Sequence, residues 1–322
     1  MNWLHPIDKH LLFTRHDKED PRLGECVQIL PKGDLTQLSQ HTYDIALLGY
    51  PDDEGIAMNG GRPGAQAAPR EIRASLYKMT PHLQHPQLPH LLDLGDLADK
   101  EKSLGERHEK GREIVRALNQ NGKPWISLGG GHDYGYADTA GFLDAFKGEA
   151  VVVNFDAHMD VRPSENGFHS GTPFHRILSQ FKGQLDFAEV GIQNQCNSHK
   201  HIQWAQQQGA HVFTLDQILT EGLLKSLQKF LAGKESKKVF LSVDMDAFTS
   251  TEAPGCSQSW TTGLRSQEFL EALRWLVARH DVRGLGLYEV SPPLDFDNHT
   301  SKLAALIAHQ FIFSTLQKAS TP

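Results

Sequence analysis

The chain has only three cysteines in 322 residues: Cys26, Cys196 and Cys256. They are odd in number, far apart and in no Cys-x-x-Cys pair, which excludes a disulfide framework and a thiolate zinc site. There is no basic excess either, since 32 Lys and Arg stand against 39 Asp and Glu, a net charge of −7. A dedicated nucleic-acid binder carries a basic face, so no nucleic-acid partner is expected. No apolar run approaches the roughly 20 residues of a bilayer span, so no membrane role is expected. The opening MNWLHPIDKHLLFTRHDKED lacks the hydrophobic core and cleavage site of a secretory signal, which points to the cytoplasm. P-loop, Gly-x-Ser-x-Gly and His-Glu-x-x-His motifs are missing too.

What is present is apolar material, 39% against 22% charged, enough for a large core and too much for a disordered chain. It comes in short, nearly continuous runs at 43–49, 90–94, 124–128, 150–155, 187–191, 212–215, 239–243 and 282–290. Runs that are apolar at successive positions mark strands covered on both faces of a parallel sheet. Helix-like segments lie between them, at 69–79, 104–119, 134–146, 197–208, 216–231, 266–279 and 301–318. This alternation predicts an α/β fold with a mostly parallel, doubly wound sheet in a single domain over 41–322. Residues 1–40 read as an N-terminal extension packed on that domain. In such folds the ligand sits beyond the carboxyl ends of the strands.

Three of those strand ends break into acid- and histidine-rich text. AVVVNF runs into Asp156-Ala157-His158-Met159-Asp160, VFLSV into Asp244-Met245-Asp246, and PWISL into Gly129-Gly130-Gly131-His132-Asp133. On an extended chain, residues two apart share a face. Asp156, His158 and Asp160 are therefore expected to point one way, as are Asp244 and Asp246. Four carboxylates at the mouth of a hydrophobic sheet repel one another and lose hydration, which demands cations or several shifted pKa values. Two divalent ions balance the charge and leave one hydroxide to bridge. Oxygen donors with one or two imidazoles and no thiolate suit Mn²⁺. Two such ions, about 3.5–4 Å apart and sharing Asp156 and Asp244, would polarise a bridging water into a nucleophile near neutral pH.

These residues resemble the ureohydrolase superfamily of arginases, agmatinases and formimidoylglutamases. The matching text is GGGHD at 129–133, NFDAHMD at 154–160, SVDMDAF at 242–248 with APG at 253–255, and YEVSP at 288–292, in the family's order. The resemblance implies a three-layer α/β/α, arginase-like fold, two Mn²⁺ per subunit, and a homo-oligomer. One ion would take His132, Asp156, Asp160 and Asp244; the other would take Asp156, His158, Asp244 and Asp246. It also implies that Glu289 receives the amidinium end of the substrate, that Asp160 orients the attacking hydroxide, and that His169 shuttles protons. A carboxylate matches a planar N–C–N cation in two-point contact, and a leaving amine needs a donor that titrates near neutrality.

DEGIAMNGGRPGA at 53–65, GGGH in place of GGDH, SGTPF at 170–174 and FTRHDKED at 13–20 are closest to the formimidoylglutamase form. That form hydrolyses N-formimidoyl-L-glutamate, an intermediate of histidine breakdown, to L-glutamate and formamide. A small amidine with two carboxylates calls for positive charge at the mouth of the site. Arg162 and Arg62 are the candidates, with Asn194 and Gln195 as neutral donors. The alternatives are an arginase- or agmatinase-like guanidino hydrolase releasing urea, a metallophosphoesterase, and a catalytically silent regulator. A metallophosphoesterase presents Asp-x-His first, whereas here it comes last; a silent relative should lack ligands, and none is missing. After Asp246 the family's Asp-Pro pair is replaced by Phe248-Thr249-Ser250-Thr251-Glu252.

Overall fold

In the strand Ala150–Phe155, Val151, Val153 and Phe155 join one hydrophobic cluster while Ala150 and Val152 join another, on the opposite side. Neither face meets water, which is why the run is apolar throughout instead of at alternate positions. The same division repeats in Ile45–Gly49, where Ile45 and Leu47 face one cluster and Ala46 and Leu48 the other. The computed structural model describes residues 3–31, 34–85, 87–165 and 167–320.

Among the described residues ten strands form one sheet. They are β1 (Leu4–His5), β2 (Val27–Ile29), β3 (Ile45–Gly49), β4 (Leu91–Leu97), β5 (Trp125–Leu128), β6 (Ala150–Phe155), β7 (Leu185–Ile192), β8 (Ala210–Thr214), β9 (Lys238–Asp244) and β10 (Asp281–Tyr288). Their spatial order is β1-β4-β3-β5-β10-β9-β6-β7-β8, with β2 also beside β4. The β1–β4 pair is antiparallel and the other described pairs are parallel. Leu128 pairs with Leu287, Leu287 with Val243, and Val243 with Phe155, so β5, β10, β9 and β6 end level with one another. Of the described residues before 41, those of β1 and β2 belong to the sheet, each paired with β4.

The helices are α1 (Glu54–Met58), α2 (Ala68–Leu76), α3 (Leu104–Gln120), α4 (Tyr134–Ala145), α5 (Pro173–Gln180), α6 (His199–Gln207), α7 (Leu215–Glu221), α8 (Leu223–Leu231), α9 (Ser266–Arg279) and α10 (His299–Ser320). Core residues of α2, α7, α8, α9 and α10 fill the cluster on one sheet face, and those of α3, α4 and α5 fill the other. The result is the doubly wound arrangement expected from the alternation, in the three layers that the resemblance implied. No described helix is long and apolar enough to cross a membrane.

One local reading is corrected. The expected helix at 216–231 divides at Gly222, whose φ of 90° no continuous helix accommodates. Asp96, in β4, accepts from Arg73 Nη1 at 2.6 Å.

Candidate metal centre

The four level strands β5, β10, β9 and β6 carry the chemistry at their carboxyl ends and on the segments that follow them. After β5, Gly129 and Gly130 take φ of 73° and 79°, a left-handed pair that suits glycine and turns the chain so that His132 enters the cluster. The His132 ring is fully buried. Its Nδ1 lies 3.0 Å from Asp156 Oδ2, 3.1 Å from Asp160 Oδ2 and 3.2 Å from Asp244 Oδ2. None of the three oxygens is aligned for a hydrogen bond, which leaves Nδ1 a buried nitrogen without a partner. Its other nitrogen, Nε2, meets Ser242 Oγ at 2.9 Å. The His158 Nδ1 stands 3.1 Å from Asp246 Oδ2 and 3.6 Å from Asp156 Oδ1.

Two groups of ligand atoms result, each within 4.8 Å: His132, Asp156, Asp160 and Asp244, and Asp156, His158 and Asp246. Asp156 belongs to both, whereas Asp244 enters only the first. A nitrogen facing three carboxylate oxygens with none of them in line is what a shared cation between them requires. The donor set of carboxylates and imidazoles is the one divalent manganese accepts. The residues therefore fit a pair of such ions.

Electrostatics agree. Burial pushes Asp160 up to about 6, Asp244 well above the ordinary carboxylate range and Asp246 upward, with neighbouring carboxylates adding to the effect at Asp160 and Asp244. Asp156 goes down against its burial, because both imidazoles favour its charged form. The two imidazoles go up against theirs, drawn by the aspartates. Without added cations the cluster holds protons that it would otherwise release.

The convergence does not arise as the spacing suggested. β6 stops at Phe155, and Asp160 sits at φ 47°, so loop turns and not strand alternation aim the three side chains. Asn197 supports that loop, accepting Met159 N–H at 2.8 Å and donating to the Ala157 carbonyl at 2.8 Å. Glu289 follows β10 at φ 63°, and its Oε1 accepts the His132 backbone N–H at 3.0 Å. Burial raises the Glu289 carboxyl to about 8.

Two buried polar assemblies back His132. The Tyr288 ring stacks on it with centroids 4.9 Å apart, while the hydroxyls of Tyr288 and Tyr50 each donate to Asp138 at 2.5 Å. Burial lifts the Asp138 carboxyl to about 6, and those two donors hold it from going higher. On the other side Arg176 Nη1 meets His108 Nδ1 at 2.9 Å, and His108 Nε2 meets Asp133 Oδ2 at 2.7 Å. Arginine only donates, so His108 Nδ1 accepts and its Nε2–H is given to Asp133.

A cavity of about 420 Å³ opens over the cluster. Asp160, Asp244, Asp246 and His158 reach its floor, and Asn59, Arg162, Ser170, His201, Trp260 and Glu289 stand among its walls. His169 is half-buried beside the wall that Ser170 contributes. Its Nδ1 accepts Gly171 N–H at 3.2 Å, which puts the proton of the neutral ring on Nε2. Burial and then the Arg162 charge hold its pKa below the usual value.

The structure does not bring the other three candidates to this cavity. The Arg62 guanidinium is spent on the carbonyls of Ser257, at 2.8 and 3.0 Å, and Cys256, at 3.1 Å. Asn194 is exposed and donates to Asp216 at 2.7 Å, and Gln195 donates to Gln193 at 2.6 Å. Arg162 pairs with Asn59. Sequence reasoning passed over Asn59, His201, Trp260 and Asn197; no spacing rule joins them to the acidic motifs.

Fold and site together define a ureohydrolase, a hydrolase acting on C–N bonds. The chain belongs to the arginase family, whose model matches residues 43–314. A formimidoylglutamase of Streptococcus gordonii is 32% identical over 304 residues, 91% of this chain and 90% of that protein. A formiminoglutamase of Trypanosoma cruzi solved with Mn²⁺ superposes with a TM-score of 0.81 at 28% identity, covering 94% of this chain and 100% of that one. A formimidoylglutamase of Bacillus subtilis gives a TM-score of 0.84 at 26% identity over 94% of both chains.

Proposed function

We propose that this chain is a dinuclear manganese formimidoylglutamase, converting N-formimidoyl-L-glutamate and water to L-glutamate and formamide. The observation that carries the reading is the buried meeting of four aspartates with two imidazoles, and above all the unpartnered His132 Nδ1 facing three of them. His132, Asp156, Asp160 and Asp244 would hold one ion, and Asp156, His158 and Asp246 the second. When bound, such ions supply Lewis acidity and make water acidic enough to attack near neutral pH.

The chain's own groups do the rest. Glu289, at the cavity wall, pairs with the amidinium; an opposite charge in contact draws its raised pKa back down and keeps it ionised. Asp160 Oδ2 accepts a hydrogen bond from the attacking water and so aims its lone pair at the formimidoyl carbon. His169 takes up a proton released by the attacking water and, as the imidazolium, gives one to the glutamate nitrogen as the C–N bond breaks, returning to the neutral ring. Arg162 grips a substrate carboxylate, bidentate contact being the geometry guanidinium favours. The names of the relatives support this substrate over other amidines and guanidines.

The test is a panel of substrates offered to manganese-loaded protein: formimidoylglutamate, arginine, agmatine, guanidinobutyrate and guanidinopropionate. Glutamate and formamide should appear from the first, with little turnover of the others. Urea release from a guanidine at a higher kcat/KM would overturn the assignment.

A further inference from the structure

Asn59 follows α1 directly, at the rim of the cavity, and its carboxamide has a different partner on each side. Its Oδ1 accepts a hydrogen bond from Arg162 Nη1, and its Nδ2 donates to Ser170 Oγ at 3.0 Å. The segments meet over Gly171, where a Cβ would fall 3.0 Å from Arg162 Cδ, 3.1 Å from Asn59 Nδ2 and 3.4 Å from His169 Cε1. Gly171 also accepts Arg162 N–H through its carbonyl at 2.8 Å. The α1 end of this joint is fixed, because buried Arg107 donates to Asp52 Oδ2 at 2.8 Å and to Glu54. Ser170 N–H donates to the Gly55 carbonyl at 3.1 Å.

Arg162 itself is exposed, and among the described residues no acid forms a salt bridge with it. A free arginine side chain carries about 2 kcal/mol of rotamer entropy that an ion pair must otherwise consume. Asn59 removes part of that freedom before any ligand arrives. A carboxylate at the same place would aim the guanidinium equally well but would also neutralise it. The amide orients without discharging.

We propose that Asn59 is a specificity-determining positioning residue: its neutral carboxamide directs Arg162 toward an anionic substrate tail while leaving the arginine's charge unspent. The inference rests on the reading that Arg162 receives a substrate carboxylate. It makes the substrate class of the site amidines with an anionic tail, and it makes a cationic tail unwelcome.

The experiment compares wild type, Arg162→Ala, Asn59→Ala and Asn59→Asp, all loaded with manganese. Calorimetric Kd for L-glutamate is measured beside KM and kcat for formimidoylglutamate. Arg162→Ala should raise Kd and KM. Asn59→Ala should raise both about tenfold, the scale of one hydrogen bond to a charged group, with kcat changed less than twofold. Asn59→Asp keeps the acceptor for Arg162 and should still raise both at least as much, because it neutralises the guanidinium. A merely structural contact predicts the reverse, with Asn59→Asp rescuing the loss seen in Asn59→Ala. That rescue, or unchanged values in both Asn59 variants while Arg162→Ala is impaired, would overturn the inference and leave the reading of Arg162 standing. Unchanged values in Arg162→Ala would bring down that reading, and this inference with it.

Discussion

Replacing Tyr288 by Phe removes one hydroxyl from Asp138 and nothing from the ring that stacks on His132. Asp138 Oδ2 then loses its 2.5 Å donor, while Oδ1 keeps Tyr50 at the same distance. With Asp138 fully buried, no water replaces the lost partner. A hydrogen bond to a charged acceptor contributes about 1.5–3 kcal/mol, and a neutral one about 1 kcal/mol. Which applies depends on pH, since Asp138 titrates at about 6. The substitution should therefore cost about 2 kcal/mol at pH 8, where the carboxylate is ionised, and about 1 kcal/mol at pH 5, where the acid is protonated. The sign follows from linkage. A folded pKa above the ordinary 3.8 gives stability that is complete below that value and is lost as pH rises through the folded pKa. Removing a donor lifts the folded pKa further, so the variant loses more over the same rise. Urea denaturation of metal-free wild type and Tyr288→Phe at the two pH values measures the difference, and manganese content of the loaded variant should be unchanged. A deficit that is equal at both pH values, or larger at pH 5, would refute the account of Asp138 as an ionised group held by two hydroxyls.

Asp156 belongs to both ligand groups, so Asp156→Asn should purify with less than one manganese per chain by elemental analysis, not merely with one ion lost. His169→Ala should slow turnover by about 10²-fold or more, the usual scale for a lost proton donor, with full metal content; an emptied site would disprove the shuttle role. His108→Ala removes the imidazole between buried Arg176 and Asp133. It should cost about 3 kcal/mol in denaturant titration, the scale for stranding a buried charge.

Much of the fold was legible because strands sealed on both sides leave unbroken apolar text, and each of the eight runs contains or overlaps a strand. α9 reads at its bounds because its helical period is uninterrupted from Ser266 to Arg279. α1 was invisible, since five residues, Glu54–Met58, are too few to display a period. The residues of the candidate metal cluster stood out in the sequence because each lies at or just past the carboxyl end of a strand, although the turns that aim them could not be read. Arg62, Asn194 and Gln195 are not among the residues lining the cavity, because a polar residue near a site motif can as easily bond the chain around it, as all three do. Asn59 was out of reach for the opposite reason. Its partners are 103 and 111 residues away in sequence, and only the folded chain makes them neighbours.

The order of the sheet has a consequence for how the chain matures. β5 and β6 follow one another along the polypeptide, yet β10 and β9 lie between them. The two strands synthesised last thus wedge into the middle, and they deliver Asp244, Asp246 and Glu289 as they arrive. Until then His132 and Asp156 belong to separate halves, with no common cage for an ion to enter. Metal bound at the proposed centre would therefore report completed folding, since a nascent chain stalled before β9 lacks Asp244 and Asp246.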